Sequence, residues 1–92
     1  MSQEAQPRRA RRGEQVFFRA RPPSISDDGM RPAFVVGGNG KGLMLLVFRD
    51  PAADAGLMSQ GNAVIVHNVK HDTGSLYEFL FADEYDGTLP VV

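Results

Sequence analysis

The stretch that decides the fold is FVVGGNGKGLMLLVF, residues 34–48. Two runs of β-branched, aromatic and aliphatic residues flank Gly37–Gly42, a segment in which four of six residues are glycine. Glycine adopts positive φ at little cost, so this segment is typical of a tight turn between two strands. Leu43–Phe48 is apolar at every position, which predicts a central strand that is covered on both faces. The stretch therefore predicts a β-hairpin.

Three further strand-like runs flank this hairpin, at residues 14–20, 62–69 and 75–81. Residues 52–57 are predicted to form one helical turn after the break at Asp50-Pro51, and residues 70–74 to form a hairpin loop. The chain contains no longer helical periodicity and no internal repeat. The sequence thus predicts an all-β fold, a small five-stranded antiparallel barrel or sandwich.

Alternation along the strands predicts which side chains face the core. In the first strand Val16 and Phe18 share one face, and Phe17 lies on the other. The same reasoning, applied to every strand, predicts a core of Val16, Phe18, Phe34, Val36, Leu45, Val47, Val64, Val66, Phe79 and Phe81.

The two ends of the chain differ in charge from the strands between them. Residues 1–13 contain almost nothing to bury, and they are predicted to form an arginine-rich arm that is disordered or ordered by a partner. Residues 14–82 form the predicted β domain, and residues 83–92 an acidic tail. Six arginines face two glutamates in residues 1–21, a balance of +4, while residues 22–92 carry four basic and nine acidic groups, a balance of −5.

Patterns that would indicate catalysis or a cofactor are incomplete. Gly37–Gly42 lacks the first glycine and the Ser or Thr of a phosphate loop, and no predicted helix follows it. His67 and His71 flank a strand end without a third ligand, and no serine is marked as a nucleophile. The chain has no cysteine. We therefore expect no enzyme activity, no metal and no cofactor.

The partner-binding residues are predicted at the charged ends. Arginines bind phosphates or carboxylates through paired hydrogen bonds, and the acidic tail offers carboxylates to a copy of the chain or to another protein. The alternatives are nucleic acid, which the acidic balance of the domain disfavours, and a purely solubilising terminus. The predicted binding residues are Arg8, Arg9, Arg11, Arg12, Asp83, Glu84 and Asp86.

Several short motifs, taken in order, resemble those of a group of small tailed-bacteriophage proteins. They are Gly13-x-x-Val16, Arg31-Pro32-Ala33-x-Val35, Leu45-x-Val47-Phe48 and an acidic end with Gly87-Thr88, which continues as Leu89-Pro90 where the group has tryptophans. The resemblance implies a virion-associated structural protein, such as a capsid decoration or head accessory subunit.

The sequence as a whole favours a non-enzymatic structural or accessory subunit of a larger assembly, with a phage virion as the first assembly to consider. Its expected partners are capsid or other virion proteins and copies of itself. The alternative function is a nucleic-acid-binding module that uses the arm. No apolar run approaches the roughly 18 residues of a membrane span, so we expect a virion or cytoplasmic protein.

Overall fold

The computed structural model describes residues 9–25, 27–72 and 74–87. Their strands form one five-stranded antiparallel sheet. The elements are β1 (Gln15–Arg19), β2 (Met30–Asn39), β3 (Gly42–Phe48), β4 (Ala63–Val69), β5 (Phe79–Phe81) and two short 3-10 helices, Ala55–Gln60 and Ala82–Glu84. The strand order is β4-β3-β2-β1-β5. The mostly β, five-stranded antiparallel prediction is confirmed.

The predicted hairpin is present as β2 and β3, and it forms the centre of the sheet. Its turn lies at Gly40 and Lys41, and the Lys41 amide donates to the side-chain oxygen of Asn39 (2.7 Å). β2 is longer than predicted, because Gly29 turns the chain directly into it at a φ of 80°. Any larger residue at Gly29 would also collide with the Arg21 carbonyl oxygen. The ladder shifts by one residue between Val35 and Gly37, where a bulge bends β2.

The core lies on one face of the sheet, here called the inner face. Its fully or nearly fully buried members include six of the predicted side chains: Val16, Phe18, Leu45, Val47, Phe79 and Phe81. Val64 and Val66 pack against this cluster while staying partly exposed.

The prediction that Phe34 and Val36 belong to the core is wrong. Both are exposed, and their neighbours Ala33 and Val35 are buried instead. Ala33 lies opposite Val16 in β1 and opposite Val47 in β3. The inner face also holds Phe79, Phe81 and their neighbours, so the small Ala33 fits there and Phe34 faces outward.

The fifth strand is shorter than predicted and lies elsewhere. It spans only Phe79–Phe81 and pairs with β1, at the opposite edge of the sheet from β4, so residues 70–74 do not connect a hairpin. Tyr77 has a φ of 67°, which an extended strand does not allow. Its amide donates to the Arg19 carbonyl (2.7 Å), and this bond helps fix the chain beside the end of β1 before β5 begins.

The two edges of the sheet approach each other at one point. His71 and Phe79 form an isolated parallel bridge, in which the Phe79 amide donates to the Lys70 carbonyl (3.0 Å) and the Asp72 amide to the Phe79 carbonyl (2.8 Å). No ladder of paired strands closes the sheet within the described residues.

The described part of the chain contains no helix that is long and apolar enough to cross a membrane.

Candidate docking surface

The side of the sheet opposite the core, here called the outer face, is also apolar. The register places Phe34 opposite Leu46, and Leu46 opposite Ile65, so one row of large side chains crosses three strands. A second row runs through Phe17, whose partners are Pro32 in β2 and Leu80 in β5. Side chains alternate between the faces of a strand, so both rows lie on the outer face.

The outer face keeps much of its apolar surface in water. Exposure is 41% for Phe34, 39% for Val36 and 42% for Ile65. Phe34 meets Phe48 edge to face, with ring centroids 5.9 Å apart. Adjacent exposed apolar side chains of this size, unlike scattered single ones, are typical of a surface that binds another macromolecule.

One border of the outer face is covered by the end of the chain. Tyr85 packs edge to face on Phe17, with ring centroids 4.6 Å apart, and both residues are only partly exposed. The open part of the outer face therefore extends from Phe34 towards β4, and Ile65 lies at its edge.

A buried ionic network holds the loops at one end of the sheet. Arg31 is 2% exposed and donates twice to Asp54 (2.7 and 3.1 Å) and twice to Asp27 (both 3.0 Å). Its remaining N–H donates to the Met30 carbonyl (2.9 Å), so all five guanidinium donors are satisfied. Asp54 also accepts from Arg21 (3.0 Å) and from the Asp50 amide (2.8 Å).

The network shifts the ionisation of its members. Hydrogen bonds from Arg31 hold the pKa of Asp54 well below its ordinary value, against an opposing effect of burial. The pKa of Asp27 is lowered by the same guanidinium. Hydrogen bonds to Asp54 and Asp27 raise the pKa of Arg31. These residues are charged and mutually compensated, and Arg31 is almost inaccessible, so the network is structural rather than a binding site.

The predicted arm residues lie in part beyond the described ranges. Arg8 lies outside them, while Arg9, Arg11 and Arg12 are exposed. Arg12 donates from Nε to the Val36 carbonyl (2.8 Å), and Ala10 packs against the core cluster. The last residues before β1 are therefore attached to β2.

The predicted acidic residues lie around the second 3-10 helix. Asp83, Glu84 and Asp86 are all exposed. Glu84 accepts from the Phe81 amide (2.8 Å) and lies 2.7 Å from Nε2 of His71, and these contacts lower its pKa, with His71 as the larger cause. Glu84 and Ala10 line one cleft of about 640 Å³, so the structure brings the base of the arm and the acidic segment to the same end of the sheet.

The other sequence candidates remain separate. His67 is exposed on β4, whereas His71 packs on Phe79 and Phe81 and contacts Glu84. Among the residues that the structure describes, no three His, Cys, Asp or Glu side chains converge as metal ligands. Gly37–Gly42 is divided between the end of β2, the turn and the start of β3.

Comparison with models of known protein families gives no match, and neither do comparisons with curated proteins and with solved structures.

Sequence reasoning missed two features. The first is the Arg31 network. Only the structure shows that Arg31 lies on the same face of β2 as the buried Ala33 and Val35. The second is the exposed outer face, for which alternation gave no signal because both sets of β2 side chains are apolar. Of the charged residues predicted as the binding site, none that the structure describes belongs to the two rows of the outer face.

Proposed function

We propose that the chain is a non-enzymatic structural or accessory subunit of a larger assembly, and that it docks on a partner protein through the outer face. The observation that carries this proposal is the exposure of Phe34, Val36 and Ile65 on a sheet whose opposite face already holds a core. The resemblance of the four motifs between residues 13 and 90 makes a phage particle the first assembly in which to look for the chain.

Burial of the outer face supplies the driving force for docking. Each large apolar side chain contributes about 1.5–3 kcal/mol when it passes from full exposure to full burial. Phe34, Val36 and Ile65 are each about two-fifths exposed. Burying the exposed parts of these three side chains would therefore contribute on the order of 2–4 kcal/mol to docking. Burial of Leu46 and Phe48 adds to this value. A partner that docks with its own sheet would form the second layer of a sandwich over the outer face.

The arm and the acidic segment have an accessory role in this proposal. They lie at one end of the sheet, where the exposed Arg9 and Arg11 flank Ala10 and where Ala10 lines the same cleft as Glu84. Exposed ion pairs contribute under about 1 kcal/mol each. They therefore orient a partner more than they hold it.

Nucleic acid is the second candidate partner, and one observation favours it. Lys41 and Lys70 line the same cleft as Ala10, so lysines join the arginines of the arm at this end of the sheet. Glu84 and its acidic neighbours reduce the positive potential there. If about four phosphates were bound, log K would fall with log salt at a slope of about −3.6. Binding of this kind with sub-micromolar affinity at physiological salt would favour the nucleic-acid function over the structural one.

The proposal is tested by sedimentation of particles from cells that produce the chain. The tagged wild type should sediment with high-mass particles, and Phe34→Glu should remain in the light fractions, because a carboxylate in a buried apolar contact is costly. Tyr77→Glu is the matched control, since Tyr77 is 65% exposed but belongs to neither row of the outer face. Circular dichroism and thermal unfolding check that both variants fold. A Phe34→Glu chain that still sediments with the particles contradicts the outer face as the docking surface.

A further inference from the structure

Within the part of the chain that the structure describes, the edge strand β4 has no neighbour along its outer side. It pairs with β3 alone, and the strand order leaves no neighbour beyond it among the described residues. The other edge strand, β5, has only three residues, and Lys70 and Asp72 already bond to the backbone of Phe79 there. The two edges therefore differ, and β4 is the one that can accept another strand.

The backbone groups that face outward from β4 can be assigned. The Arg49 amide donates to the Asn62 carbonyl. The backbone N–H and C=O groups of Asn62, Val64 and Val66 therefore point towards β3. In an antiparallel ladder alternate residues bond to the same neighbour, so the N–H and C=O groups of Ala63, Ile65 and His67 point away from β3. Asn68 has a φ of 58° and lies at the bulge that ends the regular ladder. Pairing along this edge is thus confined to residues 63–67.

The usual protections of an edge strand are missing from this segment. Residues 63–69 read AVIVHNV, without proline, lysine or any formally charged side chain. Natural sheets commonly protect such an edge with a charge or a proline. A β-branched strand without these features is suited to receive a second strand through main-chain hydrogen bonds.

We propose that β4 pairs antiparallel with β4 of a second copy of this chain, about a two-fold axis at Ile65. Residue 65 is the midpoint of residues 63–67, so this register bonds Ile65 to Ile65 and Ala63 to His67 of the other copy. A two-fold contact requires a self-complementary surface, and this segment opposes no like charges and no pair of histidines. Two isoleucines that are each 42% exposed become neighbours on one face. The two sheets join into one of ten strands with a continuous outer face.

This pairing needs no other protein, so it goes beyond the proposed function and is tested on the purified chain. The chain has no cysteine, so Ile65→Cys introduces a single thiol. Opposed residues of a hydrogen-bonded antiparallel pair have Cα atoms about 5.5 Å apart, which is within disulfide range. Under mild oxidation Ile65→Cys should form covalent dimers at least about tenfold faster than Ser75→Cys, because pairing raises the effective thiol concentration. Ser75 is an exposed control outside every strand.

Charge exchange at the same position tests the register. Ile65→Lys and Ile65→Glu should each be monomeric by sedimentation, and their equimolar mixture should form a heterodimer, because opposite charges then face each other across the axis. Ile65→Thr, which is β-branched and uncharged, should still dimerise. Circular dichroism confirms that each variant is folded.

Two results would overturn the pairing. One is an equal rate of disulfide formation for Ile65→Cys and Ser75→Cys. The other is that the Ile65→Lys variant dimerises as well as the wild type. Phe34→Glu separates the two proposals, because it should lose incorporation into particles while still pairing through β4.

Discussion

The replacement Asp54→Ala tests the buried ionic network most directly. The side chains of Arg31 and Asp54 are 2% and 5% exposed, and Asp54 accepts two of the five guanidinium bonds. Alanine would leave those two donors unpaired inside the protein and would also remove the acceptor of the Asp50 amide. Removing one partner of a buried ion pair costs up to about 3–5 kcal/mol. The expected loss lies at the lower end of this range, because Asp27 still accepts two hydrogen bonds from Arg31.

The total stability of a small domain makes this loss easy to detect. The free energy of unfolding of a native protein is typically about 5–15 kcal/mol. Urea unfolding monitored by circular dichroism should show a lower midpoint for Asp54→Ala. Asp86→Ala is the control, since Asp86 is exposed. Its expected effect on the free energy of unfolding is below about 0.5 kcal/mol.

A double replacement tests the pair as a unit. Arg31→Met with Asp54→Leu removes both charges of the pair, and buried pairs replaced in this way are often neutral or more stable. The double variant should therefore be more stable than Asp54→Ala alone. A loss below about 1 kcal/mol for Asp54→Ala would mean that Arg31 regains water at no cost, and it would refute the description of the network as buried and interdependent.

Three further unfolding experiments test the fold. Phe79→Ala should lower the free energy of unfolding by about 3–5 kcal/mol, and Phe34→Ala by clearly less. Phe79 is 4% exposed and Phe34 is 41% exposed, so equal losses in urea unfolding would contradict the assignment of faces. Gly29→Ala should lower the melting temperature, because Gly29 has a positive φ and its neighbourhood leaves no room for a Cβ; an unchanged melting temperature would contradict this geometry. The folded-state pKa of Asp54 is lowered, so its stabilisation is present above the ordinary value of 3.8 and is lost progressively as the pH falls below it. Acid titration should therefore show a shallower loss of stability for Asp54→Ala than for the wild type, and identical acid limbs would contradict this.

Local signals in the sequence predicted the local parts of the fold. The glycine-dense turn between two apolar runs predicted the β2–β3 hairpin, because strands joined by a short turn pair with each other. Alternation within β1 placed Val16 and Phe18 correctly in the core. These features depend on neighbours in the chain, so a single sequence contains the information needed to predict them.

The faces of β2 could not be predicted from alternation, because both sets of side chains are apolar. Ala33 with Val35 and Phe34 with Val36 are equally consistent with a buried face. The structure shows that Ala33 and Val35 face the core, while Phe34 and Val36 face outward. The outer face, which carries the proposed function, was hidden from sequence reasoning for the same reason.

Pairing between distant segments was the other limit. Arg31 and Asp54 are 23 residues apart, and nothing in the intervening sequence indicates that they meet. The final strand was predicted beside β4 because short connections usually join adjacent strands. Contacts of Tyr77 and Asp72 with Arg19 instead hold the chain beside β1.

The pairing of β1 with β5 determines when the protein can fold. Val16 lies opposite Phe81, so the first strand of the sheet finds its second neighbour 65 positions later along the chain. Contacts at such separations slow folding, because the entropy of closing the loop is lost before the contact forms. Phe79 and Phe81 are also buried members of the core. During synthesis, the growing chain exposes an incomplete apolar core until residue 81 has left the ribosome. Any chain that stops before β5 lacks the strand that pairs with the edge of β1.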